Sequence, residues 1–542
     1  MTTTKIDISD LYAQGVDLTE LLLSAEVYHE PAELEIVRPD DPDDPGHDIA
    51  PDIIDTDSER LTDLGNARIL VRLAGGDIRW CGAMPGEGWM LWDGAKWRPD
   101  TTRAAYRLAD IVGEEWRKRA PPDSTDLVLS EEEKRARAMR KAILAHANKC
   151  ESAAGIRNML EVLRGRQSIA VDVDAWDHDP LMLNTTDQTY NLRTGRRHPN
   201  RRADLITRST SVAATLADCP TWRAFLLRIM GGPRVEPDTA ALDAAYSDPA
   251  NSAAVEMVAF LQRAAGYALT GDTSEQCMFI AYGTGRNGKG VFLNAIKAIL
   301  GSYAQGAQVA TFVDRKAGGI PNDLAALAGA RFVLCSEPNE GAPLDEGLIK
   351  TVTGQDTVTA RFLNREFFDF IPQFKLWMMT NHKPPIKGTD NGIWRRLRLI
   401  PFAFTIPDDE VDGDLPNKLK AEHAAILRWM IEGFKAWKVQ GLAAPAAVTG
   451  ASAKYRQEMD LLGDFVEERC EVNSLLSAEN APLYASYVEW ARDNGLRPRS
   501  HKWFSQELQR KGFTQSASRI DGRIWRGLSL TVKARQGSFG DG

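Results

Sequence analysis

The stretch CMFIAYGTGRNGKGVFLNAIKAILG, residues 277–301, constrains this chain more than any other. Its apolar run, 277–282, predicts a short buried strand. GTGRNGKG follows at 283–290, then an amphipathic helix with Val291, Phe292, Ala295, Ile296, Ile299 and Leu300 on its apolar side. Strand, glycine-rich loop and helix in that order form the context that a phosphate-binding loop needs. The glycines let backbone N–H groups turn inward around an anion, and the helix N-terminus adds a partial positive charge. The candidate nucleotide-binding residues are Gly283, Thr284, Gly285, Arg286, Asn287, Gly288, Lys289, Gly290 and Val291, with Lys289 placed to reach the β- and γ-phosphates of ATP. One position departs from the pattern G-x-x-x-x-G-K-[ST]. Gly290 stands where a Ser or Thr hydroxyl would hold Mg²⁺. Without a ligand, the same residues would be a glycine-rich turn.

Downstream, a second apolar run, 332–335, ends in Ser336-Glu337. A buried strand that delivers an acid at its C-terminal end is what a Walker B element requires, and ligands gather at such strand ends. Glu337 is the candidate to polarise an attacking water and to act on Mg²⁺ indirectly, since that ion tends to keep its waters. Residues 357–373 alternate well enough for a hairpin with 364–366 at its tip. FKLWMMTN, 374–381, then reads as a buried strand ending on Asn381, which could sense a γ-phosphate from the same edge as Lys289 and Glu337. Arg395, Arg396 and Arg398 follow, and one of them could serve a neighbouring subunit as an arginine finger.

With 542 residues, the chain has room for roughly three domains. Its net charge of −9 argues at first against a nucleic-acid partner. The distribution of that charge argues the other way. Residues 1–60 hold 17 acids and 3 bases, whereas the remainder holds 58 acids and 63 bases. The Asp- and Pro-rich segment 39–59 cannot bury enough apolar surface to order itself, so 1–60 reads as a flexible acidic arm, either a solvated linker or a partner-docking tail. No apolar run approaches the roughly 18 residues of a membrane span, and the first residues lack a signal-peptide core, so no membrane partner is expected. The six cysteines are scattered without a C-x-x-C pair, which points to neither zinc nor disulfides and to a reducing cytoplasm.

Elsewhere the chain is read more coarsely. WMLWDGAKW predicts a hairpin turning on Asp93-Gly94, and its closely spaced tryptophans read as a small core rather than a base-stacking platform. Helices are expected over 101–166, short strands and turns over 182–209, and helices over 221–270. The cluster 193–202 could meet phosphates or form a solvated turn. Asp172 and Asp174 could tempt one to a polymerase-type metal pair, but a solvent-facing turn is favoured. Residues 443–460 look like a linker passing into a helix. Three helices and a terminal hairpin turning on Asp521-Gly522 then read as a winged helix, with Lys502, Gln506, Arg510 and Lys511 and the wing residues Arg519 and Arg523 near phosphate.

GTGRNGKGVF, the SE after an apolar strand, IKTVTGQDTVTARFL, KLWMMTNHKPPI and DNGIWRRLRLIPF, in that order and spacing, resemble a superfamily 3 helicase of the phage/plasmid primase-helicase family, which includes poxvirus primase-helicases. GEGWMLWDGAKW and DPLMLNTTDQTYNLRTG are similar to that family's helicase-associated N-terminal region. The resemblance implies an α/β fold: an AAA+-like P-loop ATPase core at 221–445, after a mixed α+β helicase-associated region at 61–220 and before a winged-helix-like region at 446–542. It also implies a hexameric ring that uses ATP and Mg²⁺ and translocates on single-stranded DNA, commonly 3′ to 5′. On that resemblance Lys289 is the Walker A lysine, Glu337 the Walker B acid and Asn381 the sensor, with Arg396 the first choice of finger and Arg395 the second. Arg361 and Arg365 on the 357–373 hairpin would face the DNA channel.

The resulting expectation is an ATP-dependent DNA helicase of a phage or mobile element, acting in the bacterial host cytoplasm on single-stranded or forked DNA. A replication partner could dock through the acidic arm or the winged helix. The arm occupies the place where longer relatives carry a polymerase-like primase domain, so catalytic priming is not expected. The alternative is a DNA-binding initiator or loader scaffold that hydrolyses ATP weakly, for which Gly290 and Ser336 speak.

Overall fold

A computed structural model describes residues 59–123, 130–313, 322–336, 343–361, 367–386, 391–496, 498–518 and 522–531. The acidic arm, apart from Glu59 and Arg60, lies outside this set, as do Glu337, Arg365 and Arg519.

The chain is a mixed α/β protein built on a five-stranded, all-parallel sheet. Its strands are β1 (Met278–Tyr282), β2 (Ala304–Ala307), β3 (Phe332–Ser336), β4 (Lys375–Thr380) and β5 (Leu397–Pro401). They lie in the order β5-β1-β4-β3-β2. The apolar runs read as strands are the central ones, which is expected where both faces of a parallel sheet are covered. The edge strand β2, AQGA, was not anticipated, because small and polar residues carry little strand signal. After β1 the chain runs to the far edge, returns through β3 to β4, and then steps across β1 to β5. The carboxyl ends of β1 and β4 therefore border a crevice at a topological switch point.

Helix α1 (Lys289–Leu300) follows β1 and buries Phe292, Leu293, Ile296, Ile299 and Leu300. Phe292 stacks on Trp222 at 5.6 Å, and Phe279 of β1 stacks on Trp377 of β4 at 4.3 Å. Burying each such side chain contributes about 1.5–3 kcal/mol, so this aromatic layer is a main reason the loop between β1 and α1 has a rigid base. The paired helices Ser252–Tyr267 and His423–Gln440 complete that layer. On the other face, Met278, Ile280, Val333, Cys335, Leu376 and Met378 form a second core. Burial pushes the thiols of Cys277 and Cys335 up to about 12, so both stay protonated and inert at neutral pH.

The segment read as N-terminal divides among three cores, one of them the small cluster of Cys81, Met90, Trp97 and Trp176. Helices Asp63–Ala74, Ala104–Lys118, Glu131–Cys150 and Ala153–Arg164 share one apolar cluster. Leu183, Tyr190 and Leu192, by contrast, pack into the core around α1. Arg331, just before β3, donates to Met182 O at 2.7 Å, and Tyr303 Oη accepts from Asn184 N at 3.0 Å. The tryptophan hairpin forms, with Trp92 opposite Trp97 across a four-residue tip. Trp89 and Trp97 are fully buried, as a small core requires. Asp172 accepts from Asp174 N at 3.1 Å in an exposed turn, and among the described residues no group of three acids, histidines or cysteines could hold a metal.

In the stretch read as a linker passing into a helix, the helix Ala446–Glu458 forms, but it packs on the core where a free linker was expected. It lies along β5, where Ser452 Oγ accepts from Leu399 N at 3.0 Å and Tyr455 is fully buried against Trp394. A separate core begins at Leu462. There, helices Leu461–Arg469, Asn480–Asp493 and His501–Arg510 pack on a three-stranded antiparallel sheet of Cys470–Glu479, Gly522–Leu530 and Thr514–Ser518. Asp521, in the turn of the terminal hairpin, lies outside the described residues, whereas the hairpin's strands match the sequence expectation. The strand Cys470–Glu479, inserted between the first two helices, does not, because its mostly exposed residues show no apolar alternation. No described helix is long and apolar enough to cross a membrane.

Candidate functional site

The loop 283–288 leaves β1 and enters α1 at Lys289. Gly283 is pressed between Asn287 and the backbone of Phe402, whose carbonyl oxygen would lie 2.4 Å from any Cβ placed there. Gly288 adopts φ +77°, and a Cβ would lie 2.6 Å from Ile229 Cγ2. Both positions therefore need glycine, for closeness in one case and for closeness plus a left-handed backbone in the other.

Lys289 is 4% exposed, and its ammonium donates to Gly283 O at 2.5 Å, Asn287 Oδ1 at 3.1 Å and Asn381 Oδ1 at 3.1 Å. Asn381 follows Thr380, the last residue of β4, which lies beside Tyr282 at the end of β1. Parallel register thus brings together two residues 92 positions apart. Ser336, the last residue of β3, lies beside Met379 and is exposed at the same edge. Glu337, the next residue, lies outside the described set. The first-turn N–H groups of α1 have no intrahelical partners and lie at the same edge of the sheet.

The loop motif gives no sign of what holds the loop from the other side. Asn287 Nδ2 donates to Phe402 O at 3.1 Å, Ile406 N donates to Arg286 O at 2.8 Å, and Arg286 pairs with Asp408. This clasp, after β5, is itself tied to helix Pro220–Ile229. Arg228 grips Glu410 with two bonds of 2.7 Å and covers the Phe404 ring at 4.1 Å. The same bonds hold the Glu410 carboxyl below its usual range. No local motif marks such contacts, because they join residues more than a hundred positions apart.

The arginines are placed elsewhere. β5 begins at Leu397, beside Met278, the first residue of β1, so Arg395 and Arg396 sit at the amino edge of the sheet, opposite Lys289. The four steps between the five paired residues of each strand, at about 3.3 Å each, separate the two edges by roughly 13 Å. Arg396, the first choice of finger, is 8% exposed and donates to Thr353 Oγ1 at 3.1 Å and Gly392 O at 2.8 Å. Arg395 is exposed, with a 3.5 Å contact to Gln276 Oε1.

The hairpin 357–373 forms across Val358–Ala360 and Phe368–Phe370. Its tip, with Arg365, lies outside the described residues. Arg361 is exposed and lies over the Phe367 ring at 4.7 Å, and Phe367, which no sequence motif singled out, is itself 52% exposed. In the C-terminal core, Lys502 and Gln506 are exposed on helix His501–Arg510, whereas Arg510 bonds buried Glu507 at 2.7 Å and Lys511 pairs with Asp460.

Fold and site together define an α/β protein whose glycine-rich loop and buried lysine face a crevice at the carboxyl ends of a parallel sheet. Residues 67–231 match the family described as D5 N terminal like, 281–396 a family of unknown function (DUF5906), and 457–520 the family described as poxvirus D5 protein-like. The matched segments resemble those of primase-helicase-type proteins of phages and poxviruses.

Among its relatives, the candidate helicase L207/L206 of Acanthamoeba polyphaga mimivirus is 28% identical over 248 residues, covering 42% of this chain and 26% of that protein. The candidate helicase 022R of Frog virus 3 (isolate Goorha) is 30% identical over 257 residues, covering 43% and 26%. The chain thus matches about a quarter of each relative's length. The apo structure of the NrS-1 C-terminal region aligns with a TM-score of 0.43 at 11% identity, covering 85% of this chain and 98% of that one.

Proposed function

We propose that this chain is an ATP-driven DNA helicase motor of superfamily 3 whose AAA+-like P-loop core works between subunits of a ring, hexameric by the family resemblance. The reading rests above all on Lys289, held within 3.1 Å of Asn381 where a glycine-rich loop meets the carboxyl ends of β1 and β4. An incoming triphosphate would exchange the three neutral oxygens around the lysine for phosphate oxygens. The charge-assisted bonds so formed are roughly twice as strong as neutral ones. The first-turn N–H groups of α1 would take the remaining phosphate charge. Asn381, released from the lysine, would be placed to orient the attacking water, with Glu337 as the acid that polarises it. Mg²⁺, when bound, would supply charge neutralisation for the phosphates, with Ser336 and Glu337 as the residues that would hold it indirectly. The helicase names of the viral relatives agree with this reading.

Single-stranded DNA would run past the 357–373 hairpin, whose Arg361–Phe367 pair offers a cation and a stacking face, and Arg365 belongs to the same tip. A base stacked on an aromatic is worth about 1–3 kcal/mol. Phe367→Ala is therefore expected to lower the DNA stimulation of ATP hydrolysis several-fold while leaving DNA-free hydrolysis unchanged, as read by phosphate release with and without oligonucleotide. The C-terminal order of helix, strand, two helices and hairpin supports a winged helix, with Lys502, Arg510 and Lys511 on its DNA-facing side. The primary test is steady-state hydrolysis with and without single-stranded DNA, together with unwinding of a labelled fork. Absence of both activities would refute the motor.

A second reading, a loader scaffold with weak hydrolysis, draws on Gly290. A Cβ there would meet nothing nearer than Met379 Sδ at 3.7 Å, so a hydroxyl would fit and its lack is not enforced by packing. Gly290→Ser is expected to fold normally. For a motor, it should lower the Mg²⁺ needed for half-maximal hydrolysis by at least roughly tenfold, since outer-shell groups alone tune metal sites by 10–100-fold. A Mg²⁺ titration that leaves hydrolysis near zero in both proteins would favour the scaffold.

A further inference from the structure

One helix outside the crevice carries chemistry that the ATP site does not use. In Glu131–Cys150, all three acids fall in the first turn, and no acid follows, whereas Lys134, Arg135, Arg137, Arg140 and Lys141 crowd into eight residues. Its first buried residue is Ile143, so about three turns run out past the packed core with none of their side chains buried. A projecting segment of this kind gains nothing from apolar packing, which normally supplies most of a helix's stability. It is held instead by its cap. Ser130 Oγ accepts from Glu133 N at 3.2 Å, Glu133 Oε2 accepts from Ser130 N at 2.6 Å, and Pro121 O accepts from Arg140 at 2.7 Å.

Lys134, Arg137 and Lys141 follow one face at i, i+3 and i+7. With Arg140 and Leu144 they line an open groove of about 520 Å³. Among the described residues, Asp123 also lines it, 3.9 Å from Arg140, and Glu131 pairs with Lys134 at 2.8 Å. No ion pair engages Arg135, Arg137 or Lys141 among the described residues. From 134 to 141 the helix rises about 10 Å, which spans two successive phosphates of an extended strand.

We infer that this cationic helix is a docking surface for the sugar-phosphate backbone of single-stranded DNA, a contact remote from the ATP crevice that feeds the strand to the motor. The inference rests on the helicase reading above and adds a second DNA contact to it. The groove has no stacking aromatic in its lining, so it reads charge and not sequence.

The test compares the full chain with the triple variant Arg135→Gln, Arg137→Gln, Lys141→Gln and with its conservative partner, in which both arginines become lysine. Affinity for a fluorescent oligothymidylate is measured across a salt series. Each phosphate contact to single-stranded DNA contributes about 0.7 to the slope of log K against log salt, so the triple variant should flatten that slope by ~2. The lysine variant should retain it, and DNA-free hydrolysis should be unchanged in both. If the wild-type chain binds and the triple variant shows the same slope, the docking surface is refuted and the motor stands. If the wild-type chain binds no oligonucleotide, the motor reading fails and this inference with it.

Discussion

Replacing Lys289 with methionine is expected to reduce ATP hydrolysis by at least about 10²-fold, because one preorganised donor at a developing charge is worth roughly 10²–10³ in rate. Methionine can follow the path of the buried lysine stem, so the loss falls on the ammonium and not on the packing. The three oxygens of Gly283, Asn287 and Asn381 lose a shared donor. An unsatisfied buried acceptor costs about 1–3 kcal/mol, so some fall in thermal midpoint should accompany the loss of rate. Unwinding should vanish with hydrolysis, because in the proposed motor turnover of the nucleotide is what would move the strand. Phosphate release and fork unwinding, with a melting curve as the control, provide the check. Hydrolysis that survives in a folded Lys289→Met protein would place the nucleotide elsewhere.

The second large effect concerns Arg395, and its sign depends on assembly. This residue lies at the amino edge of the sheet, roughly 13 Å along the strand direction from the loop that Lys289 opens. Within its own chain it is too far from those phosphates, so in the proposed ring it could act only on a neighbour's crevice. Arg396 is the worse candidate, since its guanidinium is committed to Thr353 and Gly392 in a buried setting. Arg395→Ala should therefore lower hydrolysis by about 10³–10⁵-fold, the range of a finger supplied in trans, with little change in thermal midpoint. Arg396→Ala should do the opposite, lowering the midpoint by leaving buried acceptors unpaired. Mixing the Arg395→Ala and Lys289→Met proteins should restore part of the activity, because a mixed ring contains some interfaces with both groups intact. A mixture with no more activity than either variant alone would refute the shared site.

Much of the crevice was legible because its signals are local. Glycine spacing, the lysine and an apolar strand lie within a dozen residues, and each carries its own backbone or burial requirement. Asn381 was legible at a distance, since an apolar run that ends on a polar residue marks a strand end, and parallel strands bring their ends to one edge. The choice between Arg395 and Arg396 was not legible. One residue of phase decides which of them points inward, and that phase is set by the short helix Asn391–Trp394 turning into β5. Phe367 escaped notice because an aromatic in an alternating hairpin reads as core until its exposure is known.

Composition misled where packing overrode it. The stretch 443–460 is rich in alanine and small polar residues, yet Tyr455 finds a buried seat against Trp394 and fastens the helix to β5. Residues 182–192 read as part of an N-terminal unit, yet their apolar side chains join the core beneath α1.

By itself, the sequence determined the elements with strong local demands: a buried strand, a glycine-rich loop and a lysine at the first turn of a helix. Only the tertiary structure decided which strand lies beside which, which arginine is accessible, and which distant loop clasps the glycine turn. The physical reason is range. Backbone preference and side-chain periodicity act over a few residues, whereas strand order and burial are settled by contacts between segments a hundred residues apart.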